Sequence, residues 1–393
     1  MTNDGKARAC FFAQKVPLSS PTPSGGPMIT TLSLAGYRSL RNVSLELEAL
    51  NIVTGPNGSG KSSLYRALRL LAEIAQGGVV RLLALEGGVD SALWAGPGKG
   101  PVSIRLGYAT DDYGYAIDLG LPIPGRSMFN LDPVIKTESL WVGQILRPRN
   151  ELARRGGPMV KVRDGNHNWH VVPTDLAPFD SMMTHAGDPQ NARELLMLRE
   201  FMRNWRFYDH FRTDRDAPVR QPQIATRTPV LSGAGHDLAA AIQTIYEIGF
   251  PEDFNAALAD AFPGASVDIS SKGAYFELSM AQPGLNRPLQ TAELSDGTLR
   301  YLLLIAALLS PRPPPLMVLN EPEMSLHPSL LPPLGRLIAK ASQRCQMIVV
   351  SHAPELVAAI EGAAPARKIA LFKHNGETRI EDNEPPPWEW PDR

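Results

Sequence analysis

From Met28 onward, hydrophobic and polar residues form a regular pattern. Val43, Leu45 and Leu47 alternate with serine and glutamate, which predicts a half-buried strand. Residues 50–54 are mainly apolar and predict a short buried strand, which a glycine-rich stretch follows. Apolar residues then recur at helical spacing, at Leu64, Ala67, Leu68, Leu71 and Ala75. The pattern therefore predicts a strand, a loop and a helix in direct succession.

The rest of the chain divides into stretches with different periods. Residues 100–175 alternate with a period of two, which predicts antiparallel sheet. We expect residues 190–262 to be largely helical and residues 266–280 to form strands. From residue 293 onward helical and buried-strand patterns alternate, which is typical of an α/β fold. The predicted helices are 299–309 and 330–341, and the predicted strands are 316–319, 347–350 and 369–372.

The two ends of the chain lack such patterns. Proline, serine and glycine dominate residues 17–27 without periodicity, so we expect residues 1–27 to be a disordered extension. Residues 384–393 form a second proline-rich tail.

Composition excludes several classes of function. Lys and Arg total 39 against 40 Asp and Glu, so any contact with nucleic acid must use a local basic surface. The cysteines, Cys10 and Cys345, are too few for a disulfide framework or a cysteine-rich zinc site, which favours a reducing, cytoplasmic compartment. The longest strongly apolar run, 302–309, is far shorter than the roughly 20 residues that span a bilayer, so no membrane partner is expected.

Residues 55–62 read Gly-Pro-Asn-Gly-Ser-Gly-Lys-Ser, the GxxxxGKS pattern of a phosphate-binding loop. The loop lies between the predicted strand and helix, where backbone amides and the helix N-terminus favour phosphate. Lys61 would reach the β- and γ-phosphates, and the Ser62 hydroxyl would bind Mg²⁺. The predicted nucleotide-binding residues of this loop are Gly55, Asn57, Gly58, Ser59, Gly60, Lys61, Ser62 and Ser63.

Two other predicted strands end in residues suited to phosphate chemistry. Strand 316–319 is followed by Asn320 and Glu321, and strand 347–350 by Ser351 and His352. The carboxyl ends of parallel strands face the ligand crevice. We therefore expect Glu321 to accept a proton from the attacking water and His352 to hydrogen-bond the γ-phosphate, which with Lys61 gives three catalytic residues.

A further segment, Leu294-Ser295-Asp296-Gly297-Thr298, is by itself only a turn that caps a helix. It gains significance from its position between the phosphate loop and the Asn-Glu strand.

In this order the motifs resemble those of ABC-type ATPases of the SMC, RecF and OLD group, and especially the stand-alone bacterial proteins labelled "AAA family ATPase". The segment Ser325-Leu326-His327-Pro328 and the opening Gly36-Tyr37-Arg38-Ser39-Leu40 fit the same group. The resemblance covers most of residues 28–375.

The resemblance implies an α/β fold, a P-loop NTPase head of the ABC type with an antiparallel β subdomain and an inserted, largely helical region. Residues 28–383 would form one discontinuous head. Its parts would be an N-terminal lobe (28–125), an inserted region (126–284) and a lobe with the signature and catalytic motifs (285–383). The implied ligands are ATP and Mg²⁺.

The resemblance also implies a head-to-tail homodimer that forms on ATP binding. Ser295, Asp296 and Gly297 of one copy would then contact the nucleotide in the phosphate loop of the other. Arg38 is implied near the nucleotide, and Ser325 to His327 would form the segment called the D-loop.

The sequence departs from this group at one position. Asn320 stands where the group has an aspartate before the catalytic glutamate, so we expect Ser62 and Asn320 to hold Mg²⁺ with weakened affinity. Gln76 and Gln144 are candidates for the group's glutamine loop by chain order only, and neither is assigned.

Two functions stay open. The first is a Mg²⁺-dependent ATPase that acts in DNA maintenance or phage defence; the second is a slow or inactive nucleotide-gated module that recruits an effector protein. The transporter class is disfavoured because about 235 residues separate the phosphate loop from the signature segment. Residues 193–227 carry eight arginines, which we interpret as an ion-paired helix rather than a DNA-binding face.

Overall fold

The computed structural model describes residues 27–96, 103–123, 125–173, 176–186 and 192–393. In chain order the strands are β1 (Ile29–Tyr37), β2 (Leu40–Glu46), β3 (Leu50–Thr54), β4 (Ser103–Thr110), β5 (Tyr113–Gly120), β6 (Val134–Val142), β7 (Glu151–Gly156), β8 (Met159–Arg163), β9 (Trp169–Val172), β10 (Arg206–Tyr208), β11 (Gln223–Ile224), β12 (Ser266–Lys272), β13 (Tyr275–Ala281), β14 (Leu289–Gln290), β15 (Leu316–Asn320), β16 (Gln346–Val350), β17 (Arg367–His374) and β18 (Glu377–Ile380). The helices are α1 (Lys61–Ile74), α2 (Val79–Leu85), α3 (Val89–Ala92), α4 (Met182–His185), α5 (Arg193–Arg203), α6 (Leu238–Ile248), α7 (Pro251–Ala261), α8 (Asp296–Leu308), α9 (Leu331–Ala341) and α10 (Pro354–Ala363).

A mainly parallel sheet forms the centre of the molecule. Its strand order is β10-β15-β16-β3-β17-β18, and only β18 pairs in the antiparallel sense. The predicted strands 50–54, 316–319, 347–350 and 369–372 are β3, β15, β16 and part of β17, so the α/β prediction is confirmed. Because β10, β15, β16 and β3 run in the same direction, the residues that follow them meet at one edge of the sheet.

The two faces of this sheet pack against different layers, because successive side chains of a strand point to opposite sides. Leu316 and Val318 belong to a core shared with α1 and the antiparallel sheet. Met317 and Leu319 belong to a second core shared with α6, α8, α9 and α10. Helices α1 and α8 therefore cover opposite faces of the parallel sheet.

The antiparallel sheet has the strand order β2-β1-β4-β5-β6-β7-β8-β9 and confirms the prediction for residues 100–175. Strands β5 and β6 pair directly, so this sheet continues across residue 125. The division of residues 28–383 into lobes stays a prediction.

The tail at 384–393 packs against this antiparallel sheet. The rings of Trp388 and Trp141 lie 5.5 Å apart in an edge-to-face arrangement. Arg393 Nε lies 2.9 Å from the buried Asp118 carboxylate. The predicted N-terminal extension lies outside the described residues, apart from Pro27.

The prediction that residues 190–262 are largely helical is wrong for residues 204–237. This stretch contains the short strands β10 and β11, a single 3-10 turn at Pro218–Arg220 and irregular backbone. Strand β10 has only three residues and pairs with β15 at the edge of the sheet. So short a strand shows no periodicity in the sequence, because only its tertiary pairing defines it.

None of the helices in the described ranges has the length and apolar content that a membrane crossing requires.

Candidate nucleotide-binding site

The phosphate-binding loop at residues 55–60 connects β3 directly to α1, as predicted. Gly55, Gly58 and Gly60 all have positive φ angles, at 146°, 79° and 113°. A side chain at Gly55 would collide with the Leu371 carbonyl oxygen, and one at Gly60 with the Thr378 side chain. Glycine is therefore required for this backbone path, which leaves Asn57 and Gly58 exposed at its tip.

The Lys61 ammonium is directed back onto the loop. The residue is only 5% exposed, and its Nζ lies 2.6 Å from the Gly55 carbonyl oxygen and 3.2 Å from that of Pro56. The Ser59 hydroxyl is buried and has no hydrogen-bond partner within the described part of the chain. A buried cation and an unused hydroxyl at a helix N-terminus fit a phosphate group.

A support for this loop was missed in the sequence. The Thr378 hydroxyl on β18 lies 2.8 Å from the Ser59 carbonyl oxygen and 2.8 Å from the Ser39 hydroxyl. The Thr378 amide also donates to the Ser39 carbonyl oxygen at 2.7 Å. No motif marks Thr378, because these contacts join residues that are more than 300 positions apart.

The segment after β15 brings Glu321 to the carboxyl edge of the sheet. Its amide donates to the Val350 carbonyl oxygen at 2.8 Å, which ties it to the end of β16. Glu321 has φ of 49°, in the left-handed region that L-residues rarely adopt. Its side chain is 26% exposed and can meet both water and a ligand.

His352 follows β16 and lies beside Glu321, as predicted. Its Nδ1 is 3.8 Å from Glu321 Oε1 and 3.4 Å from Glu323 Oε1. Glu323 is buried and holds the histidine segment, because its carboxylate accepts hydrogen bonds from the Ser351 hydroxyl (2.7 Å) and the His352 amide (3.0 Å). The His352 side chain itself is 53% exposed.

Two residues are proposed to hold magnesium, one at the start of α1 and one at the end of β15. Ser62 is exposed on the first turn of α1, and Asn320 ends β15. Within the described ranges no group of three or more His, Cys, Asp or Glu side chains is arranged to hold a metal ion. Hydroxyl and amide oxygens suit Mg²⁺, which usually keeps several waters and binds substrate phosphates as well, so these residues fit the ion when a nucleotide is bound.

The signature segment caps α8 and is displayed to solvent. Ser295 Oγ accepts a hydrogen bond from the Thr298 amide at 3.1 Å. Ser295 and Asp296 are exposed, and Gly297 is half-buried. Because α8 and α1 cover opposite faces of the sheet, this segment belongs to a different layer from the helix that follows the phosphate loop.

Arg220 holds the signature segment in place. The sequence-based interpretation of this arginine as part of an ion-paired helix is wrong. Its side chain is 7% exposed and donates to the carbonyl oxygens of Leu294 (2.8 Å), Thr291 (3.0 Å) and Thr213 (2.8 Å). It also pairs with Asp296 at 2.6 Å. The interpretation of residues 193–227 as an ion-paired helix is therefore wrong beyond α5.

Three further candidates lie away from the loop or are bound elsewhere. Arg38 pairs with Glu86 at 3.0 Å. Gln76 follows the far end of α1, about 20 Å along the helix from the loop. Gln144 follows β6 on the antiparallel sheet and donates to Asp111 at 3.4 Å.

Comparison with known proteins identifies a family and a fold. The protein family described as "AAA domain, putative AbiEii toxin, Type IV TA system" matches residues 50–358. No curated protein sequence matches the chain with significance.

Solved structures show the same fold at low sequence identity. A crystal structure of an Smc head bound to the C-terminal winged-helix domain of ScpA is 15% identical, with a TM-score of 0.52 over 90% of this chain and 97% of that one. An Smc head domain with an extended coiled coil, bound to the C-terminal domain of ScpA and derived from Pyrococcus furiosus, is 14% identical, with a TM-score of 0.50 over 90% of this chain and 96% of that one. The chain therefore belongs to this AAA ATPase family and has the ABC-type P-loop fold of SMC head domains.

Proposed function

We propose that the protein binds ATP with Mg²⁺ in the phosphate loop, hydrolyses it, and forms a head-to-tail homodimer while ATP is bound. One observation carries this proposal. The loop with its buried Lys61, the Glu321 carboxylate and the His352 imidazole all follow adjacent strands of one parallel sheet.

Each group in this arrangement has a defined task. The loop amides and Lys61 hold the β- and γ-phosphates, and Mg²⁺ held by Ser62 and Asn320 would neutralise charge on their oxygens. Glu321 accepts a proton from the water that attacks the γ-phosphorus. The bond from that phosphorus to the oxygen bridging to ADP then breaks, and ADP leaves with this oxygen. His352 hydrogen-bonds the γ-phosphate and keeps it aligned with the attacking water.

The layer arrangement of the fold supports the proposed homodimer. The signature segment and α1 lie in layers separated by the parallel sheet, yet Ser295 and Asp296 are exposed at a helix N-terminus that favours anions. A second copy of the chain, turned head to tail, would present this segment to the nucleotide.

Asn320 favours a second candidate, the slow nucleotide-gated module. Its side chain is neutral, so the position contributes no charge to hold Mg²⁺. In this case dimers would form with ATP, turnover would be negligible, and an effector protein would recognise the dimer. A DNA partner is the alternative to the effector, and the process would be DNA maintenance or phage defence.

The test combines two measurements on the full chain. We expect phosphate release from ATP in Mg²⁺ that stops in EDTA, and a change from monomer to dimer by light scattering when ATP is added. The rate is measured with and without DNA. Dimers without phosphate release would favour the gated module, and a monomer at saturating ATP would contradict the dimer.

Arg220→Met should impair dimerisation while leaving nucleotide binding intact. Methionine keeps an unbranched side chain with an apolar stem but lacks every donor to the Leu294, Thr291 and Thr213 carbonyl oxygens and to Asp296. We expect ATP-driven dimerisation to weaken about tenfold or more, because hydrogen bonds from a charged group contribute about 1.5–3 kcal/mol. Nucleotide binding by the monomer should change little, because the loop lies in another layer.

The control for this variant is Arg215→Met, an exposed arginine on the same irregular stretch. Light scattering measures the dimer, and fluorescence of a labelled nucleotide measures binding. Unchanged dimerisation of Arg220→Met would show that the contacts of Arg220 with the signature segment are not needed for assembly.

A further inference from the structure

We propose that Asp209 supplies the carboxylate toward Mg²⁺ that Asn320 lacks. This inference rests on the proposed function, since it concerns the metal of the bound nucleotide. No sequence motif marks Asp209. Under this proposal, Asn320 at the end of β15 and Asp209 after β10 together provide what a single aspartate at the end of β15 would provide.

The first observation is strand register. β10 pairs with β15 in parallel, with Tyr208 opposite Leu319. Asp209, which follows Tyr208, and Asn320, which follows Leu319, therefore lie at the same carboxyl edge of the sheet. Glu321 follows directly, so the Asp209 carboxylate lies at the edge where the catalytic residues meet.

The second observation is a direct contact. Asn320 Nδ2 donates to Asp209 Oδ1 at 2.8 Å. The hydrogen bond uses the amide nitrogen of Asn320 and one carboxylate oxygen of Asp209. Among the described residues, the amide oxygen and the second carboxylate oxygen accept no other hydrogen bond, so they remain as acceptors for metal-bound water, the ligand set that Mg²⁺ prefers.

The third observation relates Asp209 to the helix that carries Ser62. Tyr65 lies about one turn after Ser62 on α1, where it is buried while Ser62 is exposed. The Tyr65 ring packs edge-on against Phe207 of β10, with 5.8 Å between centroids. Burial raises the pKa of the Tyr65 hydroxyl, and the Asp209 charge adds to the increase.

The surroundings keep this carboxylate in place. Arg300 of α8 is buried and extends to the Asp209 carbonyl oxygen (3.4 Å) and His210 Nδ1 (3.2 Å). Arg300 thus holds the backbone of Asp209 and the ring of His210 at the edge of the sheet. Its two hydrogen bonds use neither oxygen of the Asp209 carboxylate.

The test exchanges the two side chains. Asp209→Asn removes the carboxylate but keeps an oxygen that can accept from Asn320, so the shape of the pair is preserved. Asn320→Asp combined with Asp209→Asn restores one carboxylate on the other strand. Asp216→Asn is the control, because Asp216 is an exposed acid seven residues along the same stretch.

The readout is the Mg²⁺ concentration that half-saturates binding of a fluorescent, non-hydrolysable ATP analogue to the full chain. We expect Asp209→Asn to raise this concentration about tenfold or more, because outer-shell partners of metal ligands typically contribute 10- to 100-fold in metal affinity. The double exchange should return it to within about threefold of wild type. Analogue binding in EDTA should be equal in all variants, which excludes a merely structural effect.

The outcomes separate this inference from the proposed function. If the wild type does not bind the analogue in either Mg²⁺ or EDTA, the proposed function fails. If the wild type binds and responds to Mg²⁺ but Asp209→Asn has the same half-saturating concentration, only the role of Asp209 is overturned. Failure of the double exchange to recover would equally overturn it.

Discussion

Glu321→Gln is expected to lower the rate of ATP hydrolysis at least about 100-fold, because glutamine cannot accept the proton of the attacking water. The substitution keeps the size of the side chain and its position 3.8 Å from His352 Nδ1. ATP binding should therefore persist, and the dimer should accumulate because nucleotide is no longer consumed. Single-turnover phosphate release and light scattering measure the two effects.

A matched control for this variant is Glu355→Gln, three residues after His352 and exposed in the first turn of α10. Its turnover should equal that of the wild type. Turnover of Glu321→Gln within about twofold of wild type would show that another group accepts the proton.

Lys61→Ala is expected to weaken ATP binding about 10- to 100-fold, because charge-assisted hydrogen bonds to phosphate are among the strongest in proteins. In the structure the Lys61 ammonium also links the Gly55 and Pro56 carbonyl oxygens, so the loop itself should lose order. Both hydrolysis and ATP-driven dimerisation should then disappear at moderate ATP. Titration with a fluorescent ATP analogue measures the affinity.

Lys340→Ala provides the comparison, because Lys340 is a partly exposed lysine of α9 that pairs with Asp253 at the surface. Such pairs contribute little to stability. An ATP affinity of Lys61→Ala equal to that of Lys340→Ala would mean that the loop does not bind the nucleotide phosphates.

Prediction from sequence succeeds where the hydrophobic pattern and the motif that define an element lie within that element. β3, the phosphate loop and α1 are contiguous, and their hydrophobic spacing and glycines mark each of them. Glu321 and His352 are each predicted at the nucleotide crevice for the same reason, because each follows a buried strand whose parallel neighbours are also recognisable. The structure places their side chains within 4 Å of each other.

Other parts of the site depend on contacts between distant residues. β10 has three residues and exists because β15 pairs with it, so its sequence carries no period. Arg220 contacts segments 71 to 76 residues further along the chain, which made it indistinguishable from the surface arginines around it. Asp209 is one acid among several in a polar stretch until the register of two strands places it beside Asn320.

The left-handed backbone of Glu321 has a consequence for stability. At φ of 49° the backbone conformation of an L-residue is about 1 kcal/mol less favourable than in an ordinary region. The neighbouring Ser325, at 63°, adds a similar cost. The segment that carries the proposed catalytic carboxylate thus lowers the free energy of unfolding, a trade of stability for activity. Glu321→Gly is therefore expected to make the protein more resistant to heat and at the same time inactive, so thermal resistance and catalytic competence are separate properties of this segment.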